Sequence, residues 1–487
     1  MAHPMRRTTH RCVAALTAAL LAGLVASAPA TGTTASGHPP SGPPDTYVTS
    51  WDTTSTDATV AAGFSAPDGH LLHAYVSIAM YDAAMAVRED HEPFAVDENA
   101  PDGASAEAAV AAAAHAVLMH YLPATPPAAR TLVVTRYGTS LASIPDGAAK
   151  TDGIAVGQRV AAALIALRAG DGYRIARPYA APEPPVPGVW VPTAVTPPLG
   201  TYLPHMPPFA LRSADQMRPG GPPALGSAQW AAEYAEVQDY GGALSAIRTA
   251  DQEAAARFWG EPPVPQARAA FRGVIAQHEL DLYEASRFLA MMSVTIADSL
   301  IACFDAKYTY PFWRPVTAIQ RGDTDGNDAT VADPTWLPLL GTPNHPEYPS
   351  AHSCITPAEG IVIARFFRTS DIDFTVESVA GRPARHFSTP EELAQDVSDA
   401  RVWGGVHFRS AVEDGTWIAK RTAHGVVAHH FKGADRAARR VLVARGAPSP
   451  ASRNAATSPA PCRRSARTDP GMRRRSCPWA RFGASRR

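Results

Sequence analysis

Three segments in the second half of the chain gather side chains able to do chemistry. The first runs from Lys307 to Arg314-Pro315, the second is Pro349-Ser350-Ala351-His352, and the third runs from Arg401 to His407. They bring three permanent cations, a hydroxyl and two imidazoles to the edges of expected helices. Such a set suits a tetrahedral oxyanion, because arginine neutralises oxygens with forked donors and lysine adds a point charge. A helix starting near Ala351 would aim free backbone N–H groups and its positive end at the same anion. Gly404-Gly405 breaks the helix between Arg401 and His407, so both side chains can reach one pocket despite a spacing that would otherwise part them. Lysine occurs only at positions 150, 307, 420 and 432, so a pattern that requires one is hard to meet by chance.

The elements that must position these residues are helical. Apolar residues recur at spacings of three and four over 71–87, 105–121, 153–168, 227–240, 244–259, 266–304, 351–367 and 390–430. No strand-like alternation competes, and the expected fold is all-α, two helical bundles joined by a Pro-rich loop. That loop holds 14 prolines between Pro178 and Pro223, with Trp190, Tyr202 and Phe209 among them. Proline at that density forbids regular helix, and the aromatics predict a loop packed on the body. The stretch 288–304 is the most apolar, but Ser293, Thr295, Asp298 and Ser299 interrupt it and predict a buried soluble helix.

The 487 residues carry 44 basic and 45 acidic side chains, and charged residues make up only 18% against a usual share of about 25%. The ten arginines of 453–487 face a single acid, Asp469, which leaves the body acidic and gives no electrostatic case for nucleic acid. Arg6, Arg7 and Arg11 precede an apolar run to Ala28 and small residues to Ala30, the three-part pattern of a signal peptide over 1–30. The expectation is a secreted protein with no membrane span after cleavage. An N-terminal helical region with the loop should cover 31–224, a catalytic helical domain 225–445, and a disordered basic tail 446–487. Cys303 and Cys354 are read either as a bridge or as two separate buried thiols.

The order and spacing of the three segments resemble one superfamily, the vanadium-dependent haloperoxidases and type 2 phosphatidic-acid phosphatases. Its pattern is Lys-x6-Arg-Pro, then Pro-Ser-Gly-His, then Ser-Arg-x5-His-x3-Asp. The text of 73–87, 208–219 and 247–259 looks like its secreted bacterial haloperoxidase-like branch. The resemblance implies that Lys307, Arg314, Ser350, Arg401 and the Ala351 amide hold vanadate or phosphate. It implies His407 as axial vanadium ligand or as phosphorus nucleophile, and His352 as the acid/base. Hydrogen peroxide and halide would be the small-molecule substrates. His345 corresponds to a family position beside the peroxide, where histidine goes with bromide and iodide oxidation and little chloride oxidation.

This chain departs from the pattern in three places: Ala351 for glycine, Ala400 for serine, and Ala411 for the aspartate that orients the histidine. Glu413 or Asp414 from the next turn is the expected substitute for that carboxylate. Two other functions compete: a secreted phosphatase working through a phosphohistidine on the same pocket, and a non-catalytic helical protein with a degenerate anion site. On the blandest reading Lys307 is a solvated charge, and Arg401 and His407 are ion-pair partners of Asp399 or Glu413. Asp323, Asp325, Asn327 and Asp328 read as an Asx-rich turn rather than a calcium loop.

Overall fold

The structure, a computed structural model, describes residues 47–434; the signal segment and the basic tail lie outside them. The described chain is helical, with α1 Tyr47–Ala61, α2 Ala66–Arg88, α3 Ala106–Tyr121, α4 Ala128–Ala142 and α5 Ala148–Leu167 in the first bundle. After the Pro-rich segment come α6 Ala228–Gly241, α7 Ala250–Phe258, α8 Pro263–Gln277, α9 Leu282–Thr309 and α10 Pro315–Gln320. Then follow α11 Ala351–Phe367, β1 Phe374–Val376, β2 Arg385–Phe387, α12 Pro390–Trp403 and α13 Arg409–His429. The two strands form one antiparallel pair, Phe374 opposite Phe387.

In the first bundle α3 packs on α5 at close range. A Cβ on Gly157 would lie 2.1 Å from the Ala109 carbonyl, so glycine there is what lets the Ala-rich face of α3 approach. In the second, α11 packs against α9, α12 and α13. Helix α2 packs on α9, and one apolar core runs through Tyr75, Ile78, Phe288, Ile296, Val362 and Ile418.

Helix α9 is the buried helix that its composition predicts. Its polar interruptions have partners: Ser293 accepts from Arg268 Nη1 at 2.8 Å, and Asp298 accepts the backbone N–H groups of Phe209, Ala210 and Leu211 at 2.6–2.7 Å. Burial still pushes Asp298 up to about 6. That carboxylate, with buried Trp190 and Tyr202, ties the Pro-rich segment to the body, as the interspersed aromatics predict.

Several elements differ from the sequence reading. Helices α1 and α4 form where no helix is expected: α4 buries only Ala129 and Val133, too narrow a stripe to stand out. The 244–259 helix starts at Ala250, capped by Thr249 and Gln252. The expected 266–304 helix is two, parted at 278–281, where Asp281 caps α9 through the N–H groups of Tyr283 and Glu284. Cys303 and Cys354 are both buried and free, two thiols and not a bridge.

Candidate functional site

The site is built where the C-terminal end of α9, the N-terminus of α11, the C-terminal end of α12 and the turn before α13 meet. Lys307 is the last buried residue of α9, Arg314 is the N-cap of α10, and Ser350 is the N-cap of α11. Helix α12 ends at Trp403, and Gly405 takes φ 72°, its α-carbon packed so tightly that a Cβ would lie 2.3 Å from the Gly241 carbonyl. Only glycine suits both constraints, and the break turns the chain so that His407 enters the same site as Arg401.

Arg314 and Arg401 are buried cations with different surroundings. Arg314 donates to the carbonyls of His345 and Val406, to His345 Nδ1 at 2.9 Å, and stands 3.3 Å from His407 Nε2. Arg401 donates to the Trp259 carbonyl at 2.7 Å, and its Nε has no acceptor. It does not pair with Asp399, which binds Arg409 instead at 2.6 Å. Lys307 is fully buried, not solvated, and donates to three carbonyls, Pro346, Glu347 and Pro349, stapling the turn that leads to Ser350.

The carboxylate that orients His407 is neither Glu413 nor Asp414. Glu413 is exposed, and Asp414 accepts from the Tyr348 hydroxyl at 2.5 Å. Glu347 takes the role: its Oε1 lies 2.9 Å from His407 Nδ1 and accepts the Phe408 N–H at 2.9 Å, while Oε2 has no partner. With Nδ1–H donated to Glu347, the lone pair of His407 is on Nε2. Sequence reading searched the turns after His407, whereas Glu347 stands sixty residues earlier. An acid between Pro346 and Tyr348, inside a segment already carrying chemistry, was the available signal.

A cavity of about 390 Å³ opens onto this constellation, reached by His70, His345, Ala351, His352, Arg401 and His407. Its remaining walls are mostly apolar, Leu199, Leu300, Phe304 and Leu340 among them. His352 Nε2 and His70 Nε2 are buried without hydrogen-bond partners. Lys307, Arg314 and Ser350 stand behind this surface. Ala351 has no positive φ, so the alanine in place of glycine is accommodated in ordinary helical backbone.

Electrostatically the site is short of negative charge. Burial pulls Lys307 down to about 8, Arg401 to about 9 and Arg314 to about 10. The imidazoles of His345, His352 and His407 are held well below their usual value, by burial first and by neighbouring cations next. Glu347 is pushed up to about 8 by burial despite those cations. An oxyanion here would offset the repulsion among these buried cations and meet the partnerless nitrogens of Arg401 and His352. Three buried cations beside one imidazole make a donor set that fits an oxyanion. The Asx turn behaves as expected: Asp325 accepts from Asn327 N and Trp230 Nε1.

Residues 287–435 match the family model of the VCPO second helical-bundle domain. The crystal structure of the first bacterial vanadium-dependent iodoperoxidase is similar, with TM-score 0.69 and 23% identity over 80% of this chain and 97% of that one. The holo form of a bacterial vanadium-dependent chloroperoxidase aligns with TM-score 0.58 and 18% identity, over 77% of this chain and 93% of that one. Its apo counterpart gives 0.57 and 18%, over 74% and 93%. No curated protein matches the chain in sequence.

Proposed function

From the premise that the chain has the fold, and over 287–435 the domain, of the vanadium haloperoxidase and type 2 phosphatidic-acid phosphatase superfamily, we propose that it is a vanadate-dependent haloperoxidase. It would oxidise bromide and iodide with hydrogen peroxide after export directed by residues 1–30. The observation that carries this reading is that Arg401 and His352, whose Nε and Nε2 are buried without partners, both border the cavity that His407 also reaches. Buried polar atoms are normally satisfied, so two beside an excess of cations mark where an anion belongs.

Arg401, the N–H groups at the start of α11 and His407 Nε2 would together hold the vanadate. Lys307 keeps the 346–349 turn in place, and with Arg314 supplies positive field from behind. Bound there, vanadate would act as a Lewis acid that activates peroxide toward halide. Glu347 fixes the tautomer of His407 by accepting its Nδ1 proton. His352 holds the proton for the departing oxygen, since the overall reaction, H₂O₂ + X⁻ + H⁺ → HOX + H₂O, consumes one per turnover. The apolar walls limit bulk water around these groups. His345, hydrogen-bonded to Arg314 and packed 5.3 Å from the Phe304 ring, puts a polar edge on the cavity. It favours the more easily oxidised halides.

The test is dye halogenation by vanadate-loaded protein and peroxide in chloride, bromide or iodide alone. Bromide and iodide should turn over, with little chloride activity. Chloride turnover equal to bromide would overturn the halide assignment, and no halide turnover beside brisk hydrolysis of a phosphate monoester would make the site a phosphatase.

A further inference from the structure

Helix α11 carries a carboxyl group that the chemistry above leaves unused. Glu359 is 3% exposed and makes no hydrogen bond or ion pair with any described residue. It lies seven residues after His352, with Thr356 between them, so the three share one face of the helix. Behind His352 is a second, much smaller cavity of about 10 Å³, enough for about one water molecule. His352, Thr356 and Glu359 all border it, with Gln266 and Trp259 opposite. His352 thus stands between two spaces, the main cavity on one side and this chamber on the other.

An unpaired carboxyl on an otherwise apolar stretch of buried helix is unfavourable unless it is protonated. Burial pushes Glu359 up to about 8, and Arg268 on α8 pulls weakly the other way. Few charges face it. Arg268 is engaged by Asp52 and Ser293, His352 is on its own helix, and β1, the α7–α8 turn and α8 present Val376, Trp259, Pro263 and uncharged Gln266. His352 in turn is faced by Arg401 from α12 and His70 from α2.

We propose that Glu359 is a proton store that refills His352 through the small chamber. After His352 gives its proton to a departing oxygen, and with the bound oxyanion raising the proton affinity of its imidazole, the Glu359 carboxyl passes its own proton by way of one water, aided by the Thr356 hydroxyl. The carboxylate left behind is stabilised by Arg268 until solvent reprotonates it. Glu359 touches no substrate and acts only through His352. The inference rests on the proposed acid/base role of His352, which both peroxide reduction and phosphate-ester cleavage require.

The experiment compares full-length wild type with Glu359→Gln and Glu359→Asp. A group that keeps its proton in the folded state up to about pH 8, but loses it near 4.5 when unfolded, makes stability fall as pH rises between those values. The urea midpoint of the wild type should therefore fall from pH 5 to pH 9 more steeply than that of Glu359→Gln. Equal slopes would overturn the proposal without reference to activity. In turnover, Glu359→Gln should lower kcat about tenfold and raise the solvent deuterium isotope effect, with KM for peroxide and vanadate affinity unchanged and partial recovery in Glu359→Asp. An unchanged kcat and pH profile would overturn it. If the protein cleaves phosphate esters rather than oxidising halide, the same comparison is made on the ester, so the function can fail while the relay stands. A wild type that turns over neither substrate overturns it.

Discussion

Two clusters of buried charge lie in this molecule, and they are built on opposite plans. In the first, Asp52 of α1 is fully buried and accepts from Arg268 through Nε at 2.8 Å and through Nη2, and from Arg272 Nη1 at 2.7 Å. His73 lies 3.6 Å away, and Arg268 spends its remaining nitrogen on Ser293. In the second, Lys307, Arg314 and Arg401 have no carboxylate partner among the described residues, and the buried Glu347 beside them serves His407. Both clusters hold permanent cations inside the protein. The first is balanced and its polar atoms are largely spoken for; the second leaves Arg401 Nε and His352 Nε2 with nothing to bind. A balanced cluster needs nothing from outside and serves the fold, whereas an unbalanced one keeps its deficit for a ligand.

The largest expected effect breaks the balanced cluster. Asp52→Asn strands the buried guanidinium of Arg268 and the partly exposed one of Arg272, and losing one partner of a buried pair destabilises by about 3–5 kcal/mol. Urea unfolding should show that loss, while protein still folded at low denaturant binds orthovanadate with unchanged affinity. A variant that keeps its stability but loses vanadate would reverse the roles of the two clusters.

Next is the unbalanced cluster. Arg401→Ala removes a cation whose hydrogen-bonded partner among the described residues is the Trp259 carbonyl alone. Stability should change by less than about 1 kcal/mol, because loss of one hydrogen bond is offset by relief from burying an uncompensated charge. Vanadate affinity should fall at least about tenfold, roughly 1.4 kcal/mol, as read by titration calorimetry. Unchanged binding would show that the field comes from Arg314 and Lys307 alone.

The contrast also explains what could be read from sequence. Lys307, Arg314, Ser350, His352, Arg401 and His407 were legible because local spacing, a Pro-Ser helix start and a Gly-Gly break decide where such side chains can go. The long buried helix and the packed Pro-rich segment were legible from composition. Satisfaction of each group was not, since it depends on partners distant in the chain: Glu347 for His407, Trp259 for Arg401, and the 346–349 carbonyls for Lys307. His70 reaches the cavity from α2, far in sequence from the three segments that carry the chemistry. Likewise α4, which buries two side chains, is fixed by its neighbours α1 and α3 rather than by its own pattern.

The smallest expected effect sharpens the comparison at the rim of the anion cradle. Ala351 stands at the first position of α11, where the resemblance has glycine, and its methyl borders the cavity. Its backbone is not in the left-handed region, so glycine there is not a conformational requirement of this chain. An anion at the helix N-terminus is held by the N–H group, which Ala351→Gly leaves in place. The only physical changes are a freer backbone and a slightly larger cavity. Glycine should therefore lower stability by about 0.5 kcal/mol and change vanadate affinity by less than about threefold. A tenfold gain would mean that the methyl group crowds the anion and that this chain gives up affinity for a smaller pocket. A tenfold loss would mean that rigidity at the start of α11, rather than the cations around it, organises the cradle.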